Sequence, residues 1–185
     1  MILSVPDYSR DFLDFDLEPR PEQDAEYHER AELADAASIV EALLAATQIF
    51  IYAALREIPP TVNLFGILLE RLRVALDRPS ICMVNVWTKA KNMNILLWVI
   101  VMALSVADAK SCGKRRTWWV GRLSELANNL DIRSHTELEQ VLETVAWTDA
   151  YFTGMLPRIW EEVKEYEMTM EGESWLLDIM GSGHG

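Results

Sequence analysis

The chain has 185 residues, half of them hydrophobic, and a formal net charge of −12 from 29 acidic and 17 basic residues. A chain of this length is expected to form one domain. It can bury roughly 70% of its unfolded surface, so it needs no disulfides or metals to fold. Because nucleic-acid affinity comes mainly from lysine and arginine on phosphates, the acidic balance predicts no direct nucleic-acid binding. The same charge disfavours an anionic membrane surface.

The cysteine content and the N-terminal sequence indicate the cellular compartment in which the protein resides. Cys82 and Cys112 lie 30 residues apart and predict no disulfide framework. Residues 1–7, MILSVPD, have no basic segment and no long apolar segment, so they do not match a signal peptide. These features predict a reducing compartment, the nucleus or the cytoplasm.

Residues 1–24 differ in composition from the rest of the chain. Seven aspartates and glutamates alternate there with aromatic and aliphatic residues, and three prolines interrupt the segment. Such mixing is typical of a disordered acidic tail, and residues 7–17 could serve as an acidic-aromatic docking segment. We therefore divide the chain into an acidic disordered tail, 1–24, and a helical domain, 25–180.

Helical periodicity dominates the remainder and predicts an all-α fold, an irregular bundle of about six helices. The first helix begins at 25 or 31 and ends at Glu57, before Pro59 and Pro60, because a residue preceding proline avoids the α region. Its expected apolar face includes Val40, Leu43, Leu44 and Leu55. The other predicted helices span residues 64–76, 93–109, 114–130, 134–147 and 149–168, with a possible terminal turn at 175–180.

Local signals refine these boundaries. Residues 95–107, ILLWVIVMALSVA, are apolar on every side but shorter than the roughly 20 residues of a membrane span, so we predict a buried core helix ended by Gly113. Ser134 and Glu137 match a capping box at the start of the fifth helix. Gly154 and Pro157 predict a break in the last helix, with a restart near Leu156. Residues 80–91 are ambiguous between a short strand and irregular chain.

The sequence contains no recognisable catalytic, cofactor-binding or metal-binding constellation. His28 with Glu32 and His135 with Glu139 have helical spacing, but two ligands are too few for a metal site, and a solvated surface is the favoured interpretation. The glycine-rich end, 181–185, does not precede a helix that would bind phosphate. We therefore predict a non-catalytic protein without cofactors.

Two further residue groups have a structural and a functional interpretation. Lys110 and Lys114–Arg116 form a basic cluster that could contact phosphates or direct nuclear import, although a solvated loop is favoured. Seven tryptophans could build an aromatic ligand cage, but most fall within helical apolar patterns, where filling a core is the commoner role. They are Trp87, Trp98, Trp118, Trp119, Trp147, Trp160 and Trp175.

The order of the segments from about 45 to 167 resembles the C-terminal part of the regulatory domain of fungal-specific transcription factors. The resemblance rests on five degenerate motifs that consist largely of core positions. They are AALREIPP at 53–60, LERLRVAL at 69–76, the helix from Leu96-Leu97-Trp98 to Ala107, Trp118-Trp119-Val120 with Leu123, and Ile132 with residues 134–147.

The resemblance implies a helical regulatory module of a zinc-cluster transcription factor. The family's six-cysteine zinc cluster, which binds DNA, has no counterpart here, because two distant cysteines cannot build it. We therefore expect a non-catalytic transcription-regulatory or protein-interaction module without its own DNA-binding domain. It would bind a protein partner or self-associate, and a small-molecule inducer remains an open question.

Two other classes of function stay open from the sequence. One is a small helical enzyme or ligand-binding protein, and the other is a structural, oligomerising protein. An enzyme would be indicated by polar residues facing inward from the apolar helices, and the helix at 95–107 offers only Ser105.

The charge balance generates a first test. We expect the protein to bind random duplex DNA with a dissociation constant weaker than about 1 μM even at low salt, because too few cations are available to release counterions. Fluorescence anisotropy with a labelled duplex measures this. Submicromolar binding that weakens steeply with salt would contradict the prediction.

Overall fold

The computed structural model describes residues 21–77, 86–88, 91–107 and 113–181, and side chains for 29–77, 86–88, 91–107, 116–170 and 172. The described part of the chain is mostly helical and has no strand, which confirms the all-α class. The chain divides into two units, residues 1–36 and a compact unit of residues 37–185. The segment 80–91, left ambiguous between a short strand and irregular chain, lies mostly outside the described residues, although 86–88 are helical.

Seven α-helices and one π-helical segment account for most of the described chain. Helix α1 spans Pro21–Ile49 and continues as a π-helix, Phe50–Leu55. The remaining helices are α2 at Asn63–Leu76, α3 at Met93–Val106, α4 at Gly113–Asn129, α5 at His135–Glu143, α6 at Asp149–Phe152 and α7 at Leu156–Gly181.

The boundaries differ from the sequence predictions at both ends of the chain. Helix α1 begins at Pro21, within the predicted tail, because proline is well suited to a first helical position, where its missing N–H costs no hydrogen bond. Residues 1–20, including the proposed docking segment, lie outside the described residues. The expected terminal turn at 175–180 is instead a continuous part of α7.

Helix α3 is the centre of the unit formed by residues 37–185. Ten of its side chains are buried: the consecutive run from Leu96 to Leu104, which covers every direction around the helix, and Val106. It packs against α2, α4 and α5, and α7 packs in turn on α4 and α5. The expected fully buried helix is therefore confirmed, although it ends at Val106, and Gly113 begins the next helix instead of ending this one.

Helix ends follow recognisable capping rules. Ser134 Oγ accepts a hydrogen bond from the Glu137 N–H at 3.2 Å, as the capping box predicts. The Glu137 carboxylate, however, accepts from the N–H of Arg133, one residue before the cap, at 2.6 Å. At the end of α4, Asp131 adopts a φ of 56°, and the Ile132 N–H donates to the Ala127 carbonyl, which is a Schellman closure. The predicted break in the last helix is confirmed, since α6 ends at Phe152 and α7 begins at Leu156.

The burial of α3 generates a stability prediction. Leu97 has no exposed surface, and Leu97→Ala should lower the free energy of unfolding by about 2 to 5 kcal/mol, because it removes apolar contacts and leaves a cavity. Leu33 is 64% exposed, and Leu33→Ala is the matched control with an expected change below about 0.5 kcal/mol. Urea denaturation of both variants gives the comparison, and equal midpoints would contradict the central position of α3.

Candidate functional site

Helix α1 and its π-helical continuation present two opposite faces within the unit formed by residues 37–185. The buried face consists mainly of small side chains, and we call it the inner stripe: Ala42, Ala45, Ala46, Ile49 and Ala53. The exposed face carries four larger aliphatics, one alanine and one threonine, and we call it the outer stripe: Ala37, Val40, Leu44, Thr47, Ile51 and Leu55. Val40, Leu44 and Leu55 are each more than half exposed.

This arrangement corrects the sequence prediction for α1. Val40, Leu44 and Leu55 were predicted to share one apolar face with Leu43, but they are exposed, whereas Leu43 is partly buried. The inner face carries mainly alanines, and Ser38 Oγ donates a hydrogen bond to the Ala75 carbonyl of α2. The helix is largely apolar on both sides, so the apolar pattern alone did not tell the two faces apart.

Residues of the outer stripe follow a heptad spacing. Ala37, Val40, Leu44, Thr47 and Ile51 are separated alternately by three and four residues, the spacing that aligns a seam against a neighbouring helix. Thr47 is the polar member of the row, and its side chain carries a methyl group and a hydroxyl but no charge.

Charge is nearly absent from this part of the helix. From Ala37 to Leu55 the only charged residue is Glu41. The Glu41 carboxylate accepts from Arg71 of α2 at 2.8 Å, so even that charge is compensated.

Exposed apolar side chains also occur on α2, beyond this ion pair. Ile67 and Val74 are 55% and 54% exposed, and Arg71 lies between them in the sequence of α2. These residues line a groove of about 720 Å³ together with Glu41 and Gly66. The outer stripe and the α2 residues therefore flank the Glu41–Arg71 pair.

One helix is long and apolar enough to cross a membrane, judged by length and composition among the described residues. It is Glu29–Leu55, with a mean hydropathy of 1.7 in its most apolar window, of which 28% is buried. Core helices of globular proteins pass the same test.

A second candidate site is a cavity of about 830 Å³ to which the loop preceding α2, together with α3, α4, α6 and α7, contributes. Its walls combine apolar and polar side chains. The apolar ones include Pro60, Leu104, Val106, Met155 and Ile159, and the polar ones are Thr61, Ser105, Arg116, Tyr151, Arg158 and Glu162.

Two hydroxyls in this cavity form a directed hydrogen-bond chain. Tyr151 Oη donates to Ser105 Oγ at 2.9 Å, and Ser105 Oγ donates to the Met102 carbonyl at 2.7 Å. Burial raises the pKa of the Tyr151 phenol above its usual value, and the hydrogen bond to Ser105 offsets only part of that effect. Tyr151 is therefore neutral at physiological pH and offers a lone pair to the cavity.

Arg116, the last residue of the predicted basic cluster, has an internal role. Its Nε and Nη2 donate to the two carboxylate oxygens of Glu162 at 2.7 and 2.8 Å, and Nη1 donates to the carbonyls of Leu104 and Ala107. It thus closes the C-terminal end of α3 and joins α4 to α7. The side chains of Lys110, Lys114 and Arg115 lie outside those described, so the cluster interpretation is settled only for Arg116.

A second polar contact joins α4 to α7 further along. Glu167 accepts from Ser124 and Lys164 at 2.9 and 2.8 Å. Burial acts to raise the pKa of the Glu167 carboxyl, but these hydrogen bonds outweigh it and lower the pKa below its usual value. Because the folded pKa is lowered, this contribution to stability is present above the unfolded pKa and is lost as the pH falls through the folded one.

Other sequence candidates are not assembled into a site. Among the described residues no group of three or more His, Cys, Asp or Glu could hold a metal ion. His135 is exposed at the start of α5, and the side chains of His28 and His184 are outside the described set. Four tryptophans are buried in the core, as expected for core filling: Trp87, Trp98, Trp119 and Trp160.

Aromatic residues around α6 form a cluster that sequence reasoning did not identify. Trp147 stacks on Phe152 at 4.5 Å between ring centroids, and Phe50 of the π-helical segment lies 6.5 Å from the same ring. Phe50 also makes an edge contact with Trp98 at 5.8 Å. The cluster holds α6, and with it Tyr151, against the body of the unit.

Comparison with known proteins adds no relative to these observations. No family model, no curated protein and no solved structure matches the chain.

The Arg116 contacts generate a stability prediction. Arg116→Met should lower the free energy of unfolding by about 2 to 4 kcal/mol, because it leaves Glu162 and two carbonyls without their donor. Arg133, whose partner Asp131 is largely exposed, gives the matched control, and Arg133→Met should change stability by less than about 0.5 kcal/mol. Chemical denaturation measures both, and an Arg116 effect no larger than the control would show that the pair is a surface contact.

Proposed function

We propose that this chain is a non-catalytic protein-interaction module that associates through the outer stripe of α1. The single observation that carries the proposal is a heptad-spaced, mostly aliphatic row of side chains on the solvent side of a helix whose other side already packs in the core. Exposed apolar patches of this kind usually mark an interaction surface. The transcription-regulatory role rests on the sequence resemblance alone.

We propose a second copy of the chain as the occupant. A three-four spacing is filled by the side chains of another helix, so the partner should be helical. The stripe carries no uncompensated charge, so two copies meet without like charges at the seam. A charged partner would find no complementary group there.

The expected affinity of the dimer is modest. Six partly exposed aliphatic side chains contribute about 1 kcal/mol each when buried, or about 12 kcal/mol for two copies. They are Val40, Leu44, Ile51, Leu55, Ile67 and Val74. Association costs about 4 to 15 kcal/mol of lost freedom. At a cost of about 4 to 8 kcal/mol, the lower part of that range, the balance gives a weak dimer with a dissociation constant of about 1 μM to 1 mM.

A substitution on the outer stripe tests the proposal. Leu44→Glu should abolish the concentration-dependent increase in mass, because two carboxylates would be buried face to face in the seam. Met168 on α7 is 65% exposed and lies off the stripe, so Met168→Glu adds the same charge as a matched control and should leave the dimer intact. Analytical ultracentrifugation from about 10 μM to 1 mM spans the expected dissociation constant.

Two outcomes would contradict the proposal. A wild-type protein that stays monomeric across the range would show that a second copy does not occupy the stripe. Flotation of the protein with neutral phosphatidylcholine vesicles, lost in the Leu44→Glu variant, would show that the apolar helix binds lipid and not a helix. Thermal denaturation of both variants should match the wild type, since each changes a surface position.

A further inference from the structure

We propose that the cavity lined by α3, α6 and α7 is a binding site for a small amphipathic carboxylate. This inference does not depend on the association through α1. The cavity of about 830 Å³ falls within the range of sites that hold drug-sized ligands, and it combines apolar walls with a few polar groups.

The cation available to a ligand is Arg158. Arg116 also lines the cavity, but Glu162 and two carbonyls already take up all but one of its N–H groups, and Glu162 compensates its charge. Arg158 is exposed at the first turn of α7 and has no polar partner in the part of the chain that the structure describes. Its guanidinium presents a planar set of donors that fits a carboxylate.

The hydroxyl chain defines a second polar contact. The Tyr151 hydroxyl donates its hydrogen to Ser105, and the Ser105 hydroxyl donates its hydrogen to the Met102 carbonyl. What Tyr151 presents to the cavity is therefore an acceptor, which fits a hydroxyl or amide donor on the ligand. The apolar body between the two polar ends would lie against Pro60, Ala150 and Met155, which line the cavity and are at least partly exposed.

The net charge of −12 does not exclude an anionic ligand. Charges on exposed surfaces are screened beyond about 8 to 10 Å at physiological salt, so the distant carboxylates act weakly at the cavity. Glu162 is the carboxylate in the cavity wall, and Arg116 pairs with it. At short range the guanidinium of Arg158 therefore outweighs the overall charge.

Two glycines provide a blocking variant and its control. A Cβ added at Gly154 or at Gly172 would meet nothing within 4 Å, so a large side chain fits at either position without a clash at its base. Gly154 lines the cavity, whereas Gly172 lies far along α7 and does not. Gly154→Trp should therefore fill the cavity, and Gly172→Trp adds the same ring elsewhere.

The experiment uses 3-(4-hydroxyphenyl)propionate as the probe and its uncharged propionamide as the matched ligand. Binding is followed by NMR of the protein with ¹³C-labelled methionine methyl groups. Met155 lines the cavity, and Met168 and Met170 are exposed elsewhere on α7 as internal controls. We expect the carboxylate to shift the Met155 resonance alone, with a dissociation constant of about 1 mM or tighter.

The variants then assign the contacts. Arg158→Gln should lower the affinity for the carboxylate about tenfold and leave the affinity for the amide unchanged, because only the charged hydrogen bonds are lost. Gly154→Trp should abolish the shift for both ligands, and Gly172→Trp should preserve it. The absence of any Met155 shift at about 10 mM carboxylate would overturn the proposal. A shift that persists unchanged in both Arg158→Gln and Gly154→Trp would also overturn it. If Gly154→Trp does not fold, Arg158→Gln still tests the proposal, because Arg158 is exposed and its substitution should not affect folding.

Discussion

The rest of the structure depends on the burial of α3 on all sides. A helix without a polar face must be covered from several directions, so α2, α4 and α5 are positioned by the need to surround it. Its C-terminal carbonyls then end inside protein and require donors, which Arg116 supplies. The ion pair with Glu162 fixes α7 in turn. One apolar helix thus determines both the packing around it and the polar contact that closes its end.

The way in which α3 is covered also bears on the two candidate surfaces, the outer stripe and the cavity at Ser105. The inner stripe of α1 consists mainly of alanines, which fill little volume, and the larger Val40, Leu44 and Leu55 lie on its solvent side. Near the C-terminal end of α3, α6 has only four residues, and a turn separates it from α7. The cavity at Ser105 lies where this short helix meets the end of α3. Both candidate surfaces are consequences of how the core is closed.

Much of the fold could be predicted from the sequence because its signals are local. The capping residue Ser134, the break before Leu156 and the run from 95 to 107 each act within a few helical turns. Which face of a helix is buried was harder to predict. Helix α1 is apolar on two opposite faces, and helical periodicity alone does not distinguish the buried face from the exposed one. Gly113 was misassigned for a similar reason, since a glycine between two helices can end one or begin the next. The Tyr151–Ser105 contact joins residues 46 apart, and no local pattern encodes it.

The two surfaces differ in the kind of recognition that their chemistry allows. The outer stripe offers apolar surface area with a heptad spacing. Its polar groups are limited to the Thr47 hydroxyl and the neighbouring Glu41, whose charge Arg71 compensates. It therefore selects for a helical partner and is sensitive to added charge. The cavity offers little area but directed groups, Arg158 and the hydroxyl chain, so it selects for the positions of charge and donor on a small molecule. Tyr151 belongs to the aromatic cluster that includes Phe50 of the π-helical segment. Ile51 of the outer stripe directly follows Phe50 in the sequence. A ligand that moved Tyr151 would therefore act on a cluster adjoining the stripe, and coupling between the two surfaces requires a ligand with different affinities for the two positions of that residue.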